Sequence, residues 1–173
     1  MLEDDYIESV KNQFSQYKNL GEKAMAQVPE EMLAWMYNAE TNSIATIVNH
    51  LVGNMLSRFT NFLTSDGEKD WRNRDAEFEN ENLTREVLKE RWEKGWQCLF
   101  DVLNHLSGKD LSKTVLIRKE KHTVLEAINR QLTHYASHVG QIIFLSKMIT
   151  DRNWISLTIP RGESASLNRK MGL

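Results

Sequence analysis

The sequence predicts an all-α fold, a four-helix bundle, and three observations carry that expectation. Four long segments place apolar residues at three- and four-residue steps, one stripe per segment, as amphipathic helices do. Eight glycines and two prolines in 173 residues leave little turn material for many short strands. A hydrophobic content of 40% beside 27% charged residues is that of a chain with a real core. Four helices with one apolar stripe each bury those stripes most economically against one another. The length fits one domain over residues 1–173.

Asp4 or Asp5 can cap a first helix that reaches about Ala26, with Tyr6, Val10, Phe14 and Tyr17 as its stripe. Pro29 and Glu30-Glu31 mark a break, and the short apolar run Met32–Tyr37 reads as an ordered connection. Ser43 caps a second helix running to about Leu63, with Ile44, Ile47, Val48, Leu51, Met55, Phe59 and Phe62 inward. His50 lies beside that stripe, and Asn54, Arg58 and Asn61 continue along the same flank. Such a polar border is either a solvated boundary or the wall of a polar pocket.

From Thr64 to Asn82 the periodicity is lost, and Asp66-Gly67 signals a turn. Connections this long are uncommon and are often functional or mobile. Trp71 and Phe78 give this one apolar anchors. It reads as a crossover between non-adjacent helices, the reading its ordinary loop charge favours, or as a lid carrying Arg72 and Arg74. Its length points away from a simple up-down-up-down order.

Thr84 caps a third helix with Leu88, Trp92, Trp96, Leu99, Leu103 and Leu106 inward, ending near Ser107-Gly108, where glycine suits the C-terminal cap. Cys98 reads as an inert helix residue, with nothing basic and fixed beside it. Ser112–Arg118 contains a β-branched run too short for a helix and is expected as an extended connector. Thr123-Val-Leu-Glu126 fits a capping box and opens the fourth helix, which runs to about Ile149. Its stripe is Leu125, Ile128, Leu132, Tyr135, Val139 and Ile142. Beyond Thr150 a non-helical tail with Trp154, Pro160 and Gly162 is expected to lie across the bundle.

A net charge of −2 argues against a broad electrostatic footprint for nucleic acid. The single cysteine excludes an intrachain disulfide framework and suits a reducing compartment. The start Met1-Leu-Glu-Asp-Asp5 carries no export signal, and no apolar run approaches a membrane span. The expectation is a cytoplasmic protein without nucleic-acid or membrane partners.

His134 and His138 are four residues apart, so their side chains sit one turn apart on one flank of the fourth helix and can share a metal ion. H-x-x-x-H alone is a weak signal, because two helical histidines often coincide. His50 of the second helix is the candidate third ligand. Three neutral imidazoles with coordination positions left open make a catalytic-type centre; the alternative is three boundary histidines without an ion. His105, near a helix end, and His122, in the approach to one, read as surface or capping residues. Gln131 and Gln141 flank the pair and are candidate orienting donors. Asn54 and Arg58 are candidate substrate-binding residues, with solvated boundary residues as the alternative. No dedicated general base stands out.

Three stretches then carry a family resemblance. They run from Asn49-His50-Leu-Val-Gly-Asn54 to Lys69, through Trp71-Arg-Asn-Arg-Asp75, and over His122–Gln141 with its His134-Tyr-Ala-Ser-His138-Val-Gly-Gln141 end. In this combination and order the sequence resembles the DinB-like superfamily, in particular its DUF1572 branch of bacterial proteins. The resemblance implies a four-helix bundle of up-down-down-up topology with the long crossover between the second and third helices. It implies a divalent metal held by His50, His134 and His138, and a homodimer. Relatives in the superfamily include thiol transferases and isomerases that use bacillithiol, mycothiol or glutathione. The leading functional expectation is therefore a divalent-metal-dependent thiol S-transferase acting on an electrophilic small molecule, the ion lowering the pKa of a low-molecular-weight thiol. Zinc or nickel suits three imidazoles first, with iron or manganese after them. The alternatives are a metal-dependent hydrolase using the same ligands, and a non-enzymatic dimeric metal-binding stress-response module.

Overall fold

The structure, a computed structural model, describes residues 2–172. Its elements are α1 (Leu2–Met25), α2 (Ile44–Phe59), α3 (Arg85–His105), β1 (Thr114–Ile117), β2 (Glu120–Thr123), α4 (Val124–Thr150) and a short α5 (Ser164–Lys170), joined by turns of 3-10 helix. The described residues are mostly helical, and no helix among them is long and apolar enough to cross a membrane.

The helix starts are written in side-chain chemistry. Ser43 Oγ accepts the Thr46 amide at 3.1 Å, and Thr84 Oγ1 accepts that of Val87 at 3.4 Å. At α4 the box closes in both directions: Thr123 Oγ1 accepts from Glu126 N at 3.1 Å, and Glu126 Oε2 accepts from Thr123 N at 2.7 Å. The first helix departs from expectation. It begins ahead of Asp4 and Asp5, which lie in its first turn with Glu3, where carboxylates favour the positive end of the helix dipole as well as a cap would. The second helix stops at Phe59, because Thr60 is extended and Asn61 takes a left-handed φ of 51°.

Gly108 is not the C-terminal cap of α3: Leu106 fills that role in extended conformation, and Gly108 opens a 3-10 turn. Its lack of a side chain answers a close approach. A Cβ there would stand 2.6 Å from Glu3 Cβ, and the Gly108 amide donates to Asp4 Oδ1 at 3.1 Å.

The four long helices share one core. α1 packs on α4 and α2 on α3, with α2 also touching α4 and α1 touching α3. The long connection thus returns to a neighbouring helix rather than crossing to a non-adjacent one; its length is spent on structure described below. Phe14, Trp96 and Tyr135, all fully buried, meet with ring centroids 5.9–6.2 Å apart in tilted and edge-on arrangements. Of the predicted α4 stripe, Leu125 stands apart at 37% exposure, and Val124 in the same turn takes the inward place.

Ser112–Arg118 is half of a hairpin rather than a lone connector. β1 pairs antiparallel with β2, and Arg118 and Lys119 form its two-residue turn at φ 55° and 67°. Both values are left-handed, a conformation such turns normally assign to Asn-Gly. Here Asp66 compensates from outside the hairpin: its carboxylate accepts the amides of Arg118 and Lys119 at 2.8 and 2.7 Å, and that of Glu68 at 2.8 Å. Desolvation works to raise the Asp66 pKa, but these three N–H donors hold it below the ordinary carboxylate range. A depressed folded-state pKa adds stability that is complete above the unfolded value, about pH 4, and fades as the pH falls through the folded one. Asp66→Asn is expected to lose about 1–2 kcal/mol at pH 6 and less at pH 3. Urea midpoints at both values check this, and a gap that stays constant would contradict it.

After α4 the chain turns at Asp151, φ 46°. Trp154 and Leu157 pack against the core, and Gln27 brackets Ile155, accepting its amide at 2.7 Å and donating to its carbonyl at 3.1 Å. The tail is more helical than expected, with a 3-10 turn at Asp151–Asn153 and then α5, a stretch free of glycine and proline.

Candidate metal centre

α2 and α4 bring three imidazoles to one point. His134 Nε2 lies 3.2 Å from His50 Nε2 and 3.1 Å from His138 Nε2, and all three ligand atoms fall within 4.8 Å of one another. Nitrogens on a tetrahedral zinc at 2.0–2.1 Å stand about 3.3 Å apart, so the spacing already suits a shared cation. His105, exposed in the last turn of α3, and His122, half-buried on β2 with Nε2 3.8 Å from Glu120, are not part of this cluster.

Where the protons sit strengthens the fit. His50 Nδ1 is 3.0 Å from Glu77 Oε2, and a carboxylate only accepts, so in the neutral ring the proton is on Nδ1 and the lone pair on Nε2. His138 Nδ1 faces the carbonyl oxygen of Gln141 at 2.9 Å, with the same consequence. His134 Nε2 can donate a proton to only one of its two neighbours. Apposed lone pairs therefore remain, and a divalent cation satisfies all of them. His134 and His138 are pushed toward the neutral form that binds metal. Burial first, then the neighbouring His138 and His50, push His134 down to about 3. Burial also lowers His138, against its hydrogen bond to Gln141.

The connection from Thr64 to Asn82 builds the outer side of this centre. Its 3-10 turn, Asp75–Phe78, packs on α2. Glu77, 9% exposed, accepts from Arg72 at 2.6 and 2.8 Å while holding His50. Burial acts to raise the Glu77 carboxyl, but Arg72 and His50 outweigh it and keep it lowered. The Phe78 ring lies 4.8 Å from that of His50, and the Arg74 guanidinium sits 5.0 Å above Phe78. Gly53 makes room: a Cβ at this mid-helix position would stand 2.2 Å from Glu77 Oε1. Glu77, with Arg118 and Arg130 of the cavity described next, is a site component that sequence reasoning did not assign, and its partner Arg72 entered there only under the lid reading. The available signals were a glycine one turn after His50 and a glutamate beside an anchoring aromatic.

Beside the histidines lies a polar cavity of about 230 Å³, lined by His50, His134, Asn54, Gln131 and five arginines, Arg58, Arg72, Arg74, Arg118 and Arg130. Asn54 is in its wall but engaged, its Oδ1 accepting from the buried Tyr135 hydroxyl at 2.9 Å. Arg58 is buried and engaged too, with the Gly67 carbonyl and with Glu68 Oε2 at 3.3 Å. Gln131 is 3% exposed and its Oε1 has no hydrogen-bond partner; it lines the cavity, whereas Gln141 touches the cluster through His138. Cys98 is remote from this set: its thiol, raised by burial, meets Thr60 Oγ1 at 3.8 Å.

Comparison with known proteins adds one result. Searches of curated proteins and of solved structures return no match. A family described as "Protein of unknown function (DUF1572)" matches residues 2–163, a span that includes all three histidines, Glu77 and the arginines of the cavity. The chain belongs to the DUF1572 family.

Proposed function

We propose that this protein is a divalent-metal-dependent thiol S-transferase acting on an electrophilic small molecule, built on a DinB-like four-helix bundle of up-down-down-up topology. The observation that carries the reading is the convergence of three Nε2 atoms at the edge of a polar, cationic cavity. His50, His134 and His138 are the ligand set, and zinc or nickel suits it first, with iron or manganese next. When bound, the ion supplies a Lewis acid that lowers the pKa of a thiol or water.

The chain's own groups do the rest. Glu77 and Gln141 fix the tautomers of His50 and His138, as partners of ligand histidines commonly do. Phe78 covers one face of His50. Asn54, Arg58 and Gln131 form the wall against which a co-substrate rests. The nearby carboxylates of Glu68 and Glu77 are held in ion pairs with arginines, so neither stands ready as a base for water. A thiol or a water acidified by the ion needs no such base, so the requirement for thiol is what separates transfer from hydrolysis. A cytoplasmic location, supported by the single cysteine, and assembly as a homodimer, supported by the DinB-like resemblance, complete the proposal.

The test mixes metal-loaded protein with glutathione or bacillithiol and monochlorobimane. The expected result is a rate that needs both metal and thiol and is lost in His138→Ala. A rate no greater than that variant's, across several metals and thiols, removes the transferase. Turnover of an ester substrate without thiol, lost in the same variant, would put a hydrolase in its place.

A further inference from the structure

We propose that the cavity beside the three histidines is a subsite for a multiply charged oxyanion, a phosphate ester or a pair of carboxylates, gripped by Arg74 and Arg130. The proposal deepens the reading above and rests on it for orientation only: the anionic end lies among the arginines and the reacting end faces the histidines.

The five arginines do not play equal parts. Arg58 and Arg72 are buried and committed to the protein, the first to Gly67 and Glu68, the second bidentately to Glu77. Arg118 shares Glu68 with Arg58, its Nε 2.8 Å from Oε2. Arg74 and Arg130 also line the cavity but have no carboxylate partner among the described residues. Both are exposed, so their guanidinium groups are accessible to a ligand. Arg74 is held over Phe78. Arg130 precedes His134 by one helical turn and so shares its flank.

Gathering like charges in one small cavity is unfavourable unless an anion joins them, and a chain of net charge −2 has no general excess of cations to scatter there. Guanidinium forks pair bidentately with carboxylate or phosphate.

The probes are malate, succinate and inorganic phosphate, titrated by calorimetry at fixed ionic strength into the full chain after chelation of metal. At least one is expected to bind saturably, one per chain, with the dicarboxylates ahead of phosphate if carboxylates are the natural group. Preference for phosphate would identify a phosphate ester instead. Arg74→Gln and Arg130→Gln are each expected to weaken binding about tenfold, while His138→Ala leaves it unchanged. Because metal and turnover play no part, this result stands or falls separately from the transferase reading. No saturable binding of any probe, or equal binding by wild type and an Arg74→Gln/Arg130→Gln double variant of unchanged melting temperature, would overturn the proposal.

Discussion

His138→Ala is expected to lower bound divalent metal from about one ion per chain to a small fraction of that, and His50→Ala and His134→Ala to do the same. Second-sphere partners of ligand histidines alone typically tune affinity 10–100-fold, so removing a ligand should weaken binding by more than about 100-fold. The three variants differ in structural cost. His138 is half-exposed and its Nδ1 meets only Gln141, so its loss should leave the metal-free fold intact. His50 is buried and engages Glu77, so its loss also removes one of the partners of a buried carboxylate, leaving it to Arg72. Elemental analysis of untagged protein beside melting curves separates the two effects. Unchanged metal content in all three variants would contradict the assignment.

Glu77→Ala is the second large effect, and it acts on both stability and the site. The carboxylate sits between Arg72, whose side chain is 2% exposed, and His50. Removing it leaves the buried guanidinium with Glu68 alone, 3.8 Å from it, at a cost of up to about 3–5 kcal/mol. It also frees His50 to change tautomer, which should weaken metal binding 10–100-fold. The two consequences come apart in Arg72→Met/Glu77→Met. That variant should recover most of the lost stability, because neither charge remains buried, while metal affinity stays low. Denaturant midpoints and metal titrations of both variants check this. An unchanged midpoint in the single variant, or full metal affinity in the double, would contradict it.

What could be read from the sequence follows from where information is local. The caps Ser43, Thr84 and Thr123 act within three residues of themselves, and the predicted helix starts at these positions match the structure. The inward faces of α2 and α3 follow from helical spacing, and all their predicted core residues are buried. The pairing of His134 with His138 follows from the same spacing; their meeting with His50 needs the packing of α2 on α4.

Other features depend on partners distant in sequence. The turn Arg118-Lys119 lacks the Asn-Gly signature because Asp66, from another loop, holds both amides. Gly108 looks like a helix cap but answers the approach of Glu3 and Asp4 from α1. Glu77 lies in an aperiodic stretch, and only the folded loop carries it to His50 and into the space left by Gly53. Arg58, whose flank position suggested substrate binding, lines the cavity, and its guanidinium also engages the backbone and acidic side chain of that loop.

X-ray absorption at the metal edge of loaded protein tests the central claim most directly. With zinc, the account predicts about three imidazole nitrogens at 2.0–2.1 Å in wild type, falling to about two in any ion retained by His138→Ala. A first shell made of oxygen alone, or one identical in wild type and variant, would contradict it.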